Sequence, residues 1–215
     1  MVAFKTVEDK KKIEGEMLFA NRLNDKTMYS FLKRTVNNFP NRNAVSFQLK
    51  SGPKDPAETL TWSQLMSKVT QASNSFRSLG VSNEDVVAYV LPNCNEAVVS
   101  FLAGVCNGII CPISPLLGAD QIAGILNEIN AKVVVTLAPF PKTDVAERVD
   151  EAISMAPSVE TLLEVDLKRY LAPPLSWIVS IIRPKLKRSH SAKVYDFSTF
   201  TGEHSGTTLN FEDNN

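Results

Sequence analysis

Two histidines, three cysteines and a few polar residues at the ends of apolar runs are the side chains in this sequence that could do chemistry. His190 and His204 lie in a polar C-terminal stretch, with no nearby cysteine and no paired carboxylate at ligand spacing. Neither a metal site nor a catalytic triad is spelled out, and both histidines read as solvated tail residues. Cys94, Cys106 and Cys111 match no zinc spacing, and three cysteines cannot all close into disulfides, which points to a reduced, cytoplasmic setting. Asn93 and Glu96 stand where a strand would hand over to a helix, the position at which open α/β sheets bind ligands. The same spacing is a helix-capping signal, and capping is the simpler reading. No G-x-G-x-x-G follows a strand-like run and G-x-x-x-x-G-K-[ST] is absent, so neither common phosphate cradle is present.

The charge is balanced, with 23 basic and 23 acidic residues. No global field therefore draws the chain to nucleic acid. Locally it is not balanced: Leu167 to Tyr195 holds seven Lys and Arg and no acid, whereas Asp196 to Asn215 holds four acids and no Lys or Arg. Within the basic part, Pro174 to Arg188 is apolar with a tryptophan and then cationic. Trp177, Ile178, Arg183, Lys185, Lys187 and Arg188 are thus candidate contacts to a membrane surface, weak and salt-dependent, or to a partner. The preferred reading is that this loop packs on sequence that follows in a longer chain. No apolar run approaches the roughly 20 residues needed to span a bilayer, and the charged N-terminus lacks the apolar core of a secretory signal.

The elements that must position these residues are well marked. Asp85 to Leu91 is apolar almost throughout, Asn93 to Asn107 has helix length with Asn93 as the expected cap, and Ile109 to Ile113 is apolar again. A strand apolar on both faces must be covered on both sides, which implies a parallel sheet between helical layers. Gly104, inside the helix, suggests a close approach to a neighbouring backbone. Ala119 to Ile129 and Lys132 to Leu137 repeat the helix–strand pattern, and Asp144 to Met155 with Val159 to Val165 extends it. Upstream, Thr27 to Phe39 reads as a docking helix, and Ala44 to Leu49 with Glu58 to Thr61 as a hairpin around a turn-rich Ser51 to Pro56 loop. Thr61 and Gln64 form a capping box for a helix with an apolar stripe from Trp62 to Leu79, stopped by Gly80. Ser63, Lys68, Gln71 and Arg77 fall on its wet side. The predicted organisation is a flexible lead-in (1–26), an α/β subdomain (27–166) and a basic-then-acidic extension without a core of its own (167–215). Phe197, Phe200, Leu209 and Phe211 are the only apolar anchors of the acidic part.

Several of these blocks resemble the N-terminal part of the adenylate-forming acyl-CoA synthetases. They are Leu60 to Gly80, Asp85 to Glu96, Gly108 to Pro115, Gln121 to Thr136 and Leu137 to Asp144, in the order and spacing of that family. The resemblance implies a three-layer α/β fold, with a mainly parallel sheet flanked by helices, as the N-terminal subdomain. It further implies a parent activity that uses ATP, Mg²⁺ and coenzyme A to convert a carboxylic acid to its acyl-CoA. The family's phosphate loop, ribose-binding acid and catalytic lysine lie downstream of the matched region. The chain alone is thus expected to bind no cofactor and to act with the missing downstream domains or a complementing chain. Ser205-Gly206-Thr207-Thr208 repeats the core letters of that phosphate loop, but Leu209, Phe211 and Glu212 replace its glycine, proline and lysine, and the stretch is read as a coincidence.

Overall fold

The computed structural model describes residues 5–22, 25–50, 52 and 55–213. Residues 1–4, 23 and 24 of the expected lead-in, Ser51, Pro53 and Lys54 of the expected turn-rich loop, and the last two residues of the extension lie outside them. The rest of the lead-in forms α1 (Val7–Glu16), closed by a Thr6–Asp9 capping box and burying no residue, and the single turn α2 (Phe19–Arg22). Thr27 caps α3 (Met28–Asn38), which buries Tyr29 and Leu32. The expected hairpin is present as antiparallel β1 (Asn43–Phe47) and β2 (Glu58–Thr61).

The box at the start of α4 (Trp62–Ser78) is made in both directions: Gln64 N–H donates to the Thr61 hydroxyl, and Thr61 N–H donates to the Gln64 side chain. Gly80, at φ 78°, takes the left-handed conformation that ends the helix. The predicted wet side of α4 is partly covered, with Ser63 still exposed. Ser73, Asn74 and Ser75 are buried and Lys68, Gln71 and Arg77 half-buried, because another helix and the C-terminal segment cover that side.

Then follow β3 (Val86–Val90), α5 (Asn95–Asn107), β4 (Ile109–Pro112), α6 (Ala119–Glu128), β5 (Ala131–Leu137), α7 (Val145–Ser154) and β6 (Thr161–Val165). A 3₁₀ turn (Leu167–Tyr170) leads to α8 (Leu175–Ile182), β7 (Lys193–Asp196) and α9 (Phe197–Gly202). The sheet is parallel throughout, in the order β4-β3-β5-β6-β7. The chain steps outward from β3 to β4, then crosses back to β5. Right-handed crossovers place α5 on one face and α6 and α7 on the other. α4 and α9 join α5, completing three layers. Val133, Val134 and Val135 are consecutive and all fully buried, as a sheet covered on both faces requires.

Three expectations need correction. The extension is not outside the sheet: β7 adds a fifth strand, and Phe197 behind it is buried in the main core. Alternation of polar residues hides this strand, because it is an edge strand with little apolar surface. The helix after β3 starts at Asn95 behind Cys94, which makes no side-chain cap bond, so Asn93 is not its cap. Gly104 approaches a side chain: a Cβ there would meet Ile110 Cδ1 at 2.5 Å.

Gly108 is where the turn before β3 and the turn into β4 come closest. A Cβ on it would lie 2.3 Å from the Ser82 carbonyl oxygen and 2.8 Å from that of Asp85. Backbone cannot yield as a side-chain tip can, so Gly108→Ala should lower the urea-unfolding free energy by about 3 kcal/mol. Gly124, exposed in α6 with nothing within 4 Å of its Cβ position, is the control: Gly124→Ala should stabilise by up to about 1 kcal/mol. The Asp85 carboxyl is held below its usual range by the Ser82 hydroxyl and N–H, with help from Lys132. A depressed folded pKa gives stability that is present above the unfolded value and lost as pH falls through the folded one. Asp85→Ala should therefore cost most near neutrality, and its deficit in urea midpoint should shrink as pH drops below about 4.

Candidate functional site

The ends of β2 and β3, the first turn of α5 and the 3₁₀ turn meet around one buried carboxylate. Glu96 is only 3% exposed although it lies in the first turn of a helix, where a capping side chain would stay at the surface. One of its oxygens pairs with the Arg169 guanidinium, and the other accepts a hydrogen bond from Tyr170 Oη at 2.5 Å. The second arm of Arg169 reaches Glu58 at 2.5 Å, and Asn95 Nδ2 donates to Glu58 at 3.0 Å. Burial pushes the Tyr170 phenol far up, with the Glu96 carboxylate adding to it, so this tyrosine stays a hydrogen-bond donor at any physiological pH. The capping role expected for Glu96 is thus replaced by a tertiary one.

Beside this cluster an apolar groove of about 310 Å³ runs between β1 and α5, walled by Val45, Phe47, Tyr89, Cys94, Val98 and Phe101. Phe47 meets the Tyr170 ring edge-on at 4.7 Å, which joins the groove to the carboxylate cluster. Burial, helped by the Glu96 charge, pushes the Cys94 thiol up to about 12, and burial pushes Cys106 likewise up to about 12. Neither sulfur is a nucleophile at neutral pH. The groove can receive an apolar group, while Arg169 is shared between the Glu58 and Glu96 carboxylates and the cluster holds the surrounding elements in place.

A second polar cluster ties the extension to α7. Asp150 accepts from Ser189 N at 2.9 Å and Ser189 Oγ at 2.6 Å, and its other oxygen meets Arg188 at 3.3 Å and His190 Nε2 at 3.1 Å. Arg188 also pairs with Glu164 at 2.7 Å. Burial raises the Glu164 carboxyl, and Arg188 opposes that. The His190 side chain is 2% exposed, and His204 contacts Phe200 O and Ser78 Oγ at 3.0 Å each, so neither is the solvated tail residue that the sequence suggests. Among the described residues, no three His, Cys, Asp or Glu side chains gather to hold a metal.

The residues singled out between Pro174 and Arg188 separate in space. Trp177 and Ile178 are exposed on α8, and Lys185 and Lys187 are exposed beyond it. Arg183 and Arg188 turn inward, to Asp166 at 2.6 Å and to the Asp150 cluster. The Ser205–Thr208 stretch lies along α4. Asn74 Nδ2 donates to the carbonyls of Ser205 and Thr208, and Asn210 N donates back to Asn74 Oδ1. The carbonyls of Ser205 and Thr208 thus fasten this stretch to α4. Sequence reasoning missed Glu58, Arg169, Tyr170, Asp150 and Glu164. Glu164 did carry a signal, since an acid inside the apolar run LLEV must find a partner.

Removing the guanidinium from the Glu96 cluster leaves a carboxylate buried without its counter-charge. Arg169→Met should cost about 3 kcal/mol in urea unfolding, and the double change Glu96→Leu with Arg169→Met should recover most of it. A single variant as stable as the parent would show that the pair does not hold these elements.

The family model for AMP-binding enzymes matches residues 32–181. An acetyl-coenzyme A synthetase of Rubrobacter xylanophilus is 32% identical over 142 residues, covering 57% of this chain and 22% of that protein. A long-chain-fatty-acid–CoA ligase of Bacillus subtilis is 25% identical over 182 residues, covering 83% of this chain and 30% of that protein. Among solved structures, acetoacetyl-CoA synthetase from Streptomyces lividans superposes with a TM-score of 0.64 at 20% identity, over 83% of this chain and 25% of that one. The anthranilate CoA ligase AuaEII gives a TM-score of 0.62 at 16% identity, over 87% and 30%. The chain thus spans less than a third of the length of each of these proteins. The match covers most of the sheet and its flanking helices, and on it the chain belongs to the AMP-binding enzyme family.

Proposed function

We propose that this chain is the N-terminal portion of an ATP-dependent acyl-CoA synthetase and is not catalytic by itself. In the parent reaction a carboxylate attacks the α-phosphate of ATP and expels pyrophosphate. The thiol of coenzyme A then takes the acyl group and releases AMP. The observation that carries the reading is the family match over residues 32–181 in a chain that spans less than a third of the relatives described above. The site chemistry fits it. Burial holds the Cys94 and Cys106 thiols protonated, and the Glu96 carboxylate is engaged by Arg169 and Tyr170. What these residues do is position: they lock the hairpin, α5 and the 3₁₀ turn at the carboxyl ends of the strands, where open α/β sheets meet their ligands. ATP, Mg²⁺ and coenzyme A belong to the assembled enzyme, and the partner of this chain is the downstream portion or a complementing chain that carries the phosphate loop and the lysine. With its balanced charge the chain takes no nucleic acid, and the cytoplasm is its compartment.

Pyrophosphate exchange with a panel of carboxylic acids tests the proposal. The chain alone should give no exchange, and co-expression with a family segment that begins after residue 181 should restore it. Clear turnover by the isolated chain would overturn the reading.

A further inference from the structure

Helix α8 is built inside out. Its most exposed residues are among its most apolar: Ile181 is 82% and Trp177 65% exposed, with Ile182, Ile178 and Leu175 beside them, and Val179 alone is buried. An ordinary surface helix buries its apolar stripe and shows its polar side. Here the helix is held by polar ties at its back. Lys168 Nζ donates to Ser180 Oγ at 3.2 Å, and Arg183 pairs with Asp166 at 2.6 Å. The apolar face is therefore fixed in place and turned away from the protein.

The cations around it are sorted by type. Every arginine of the basic stretch is used internally: Arg169 on Glu96 and Glu58, Arg183 on Asp166, Arg188 on Asp150 and Glu164. Lys185 and Lys187, exposed just past α8, enter no ion pair among the described residues, and no acid lies between Leu167 and Tyr195 to neutralise them. Lysine is depleted from protein–protein interfaces, whereas its long stem lets it lie along an apolar surface with the ammonium in water. A tryptophan and isoleucines facing outward beside unpaired lysines match the chemistry of a bilayer surface: acyl chains for the helix face, anionic headgroups for the ammoniums.

We propose that α8 with Lys185 and Lys187 docks this protein peripherally on anionic membranes, the helix lying in the interface with Trp177 and Ile181 inserted. The sequence suggests that this loop packs on downstream sequence; the outward apolar face beside unpaired lysines favours a bilayer instead. One short helix and two cations give weak, reversible attachment that salt weakens further.

The test uses the whole chain with phosphatidylcholine vesicles, with and without about 30% phosphatidylserine, at about 0.05 M and about 0.5 M salt. Co-sedimentation should occur with the anionic vesicles at low salt and fall several-fold at high salt or without phosphatidylserine. Ile181→Glu should abolish it. Lys185→Gln with Lys187→Gln should reduce it by about fivefold per lysine lost. In a Trp62→Phe background, the emission of Trp177 should move to shorter wavelength when anionic vesicles are added. All substitutions are at exposed or half-buried positions, and unchanged urea midpoints verify that the variants fold. Absence of binding at low salt overturns the proposal, as does binding that Ile181→Glu leaves intact or that is equal on neutral vesicles. Concentration-dependent self-association that Ile181→Glu abolishes, with Trp177 already blue-shifted before vesicles are added, would give the face to a second copy and also overturn it.

Discussion

A parallel sheet has no wet face, and most of this structure follows from that constraint. The crossover connections put helices above and below, so strands such as Val133–Val135 carry buried side chains in both directions. The sheet can be dry only if α5 and α4 cover one side and α6 and α7 the other, which in turn requires the outward step from β3 to β4 and the return across to β5. Gly108 belongs to the same constraint. The turns bounding β3 and β4 must meet with no room for a Cβ if the two strands are to pair along their full length.

Charges were placed where that apolar scaffold has to grip something peripheral. Glu96 binds the 3₁₀ turn to the start of α5, Arg169 and Asn95 draw Glu58 of the hairpin into the same cluster, and Asp150 binds the linker before β7 to α7. Buried pairs contribute little net stability against a well-packed apolar alternative, because desolvation offsets attraction. Their effect is geometric: the paired groups hold the connections at fixed positions against the helices. Both clusters lie on connections that hydrophobic burial alone would leave free to shift.

Within the basic stretch the arginines and the lysines just past α8 are used differently. Arginine, with a planar guanidinium that can meet two carboxylates at once, is used inside; lysine, a hydrated point charge on a flexible stem, is left outside. The functional reading follows from this picture. The chain supplies a braced sheet and an apolar groove between β1 and α5, and Glu96, Arg169 and Tyr170 are engaged with one another beside it.

The periodicity of the amino acids determined the central elements. Apolar runs rich in valine and leucine in β3, β5 and β6, the Thr61–Gln64 capping box and Gly80 are local features whose physics acts within a few residues, and they were readable as a parallel α/β sheet from Asp85 onward. Only the tertiary structure decided the rest. Glu96 follows the spacing of a cap, yet its carboxylate is claimed by Arg169 and Tyr170, more than seventy residues away. β7 has the polar alternation of an edge strand and becomes a strand because β6 offers it hydrogen bonds. The polar side of α4 is partly covered because the C-terminal segment lies along it, with Asn74 fastening the loop. A local pattern records what a residue prefers near its neighbours in sequence. Where a buried charge finds its partner depends on contacts that exist only after the sheet has formed, and no spacing along the chain encodes them.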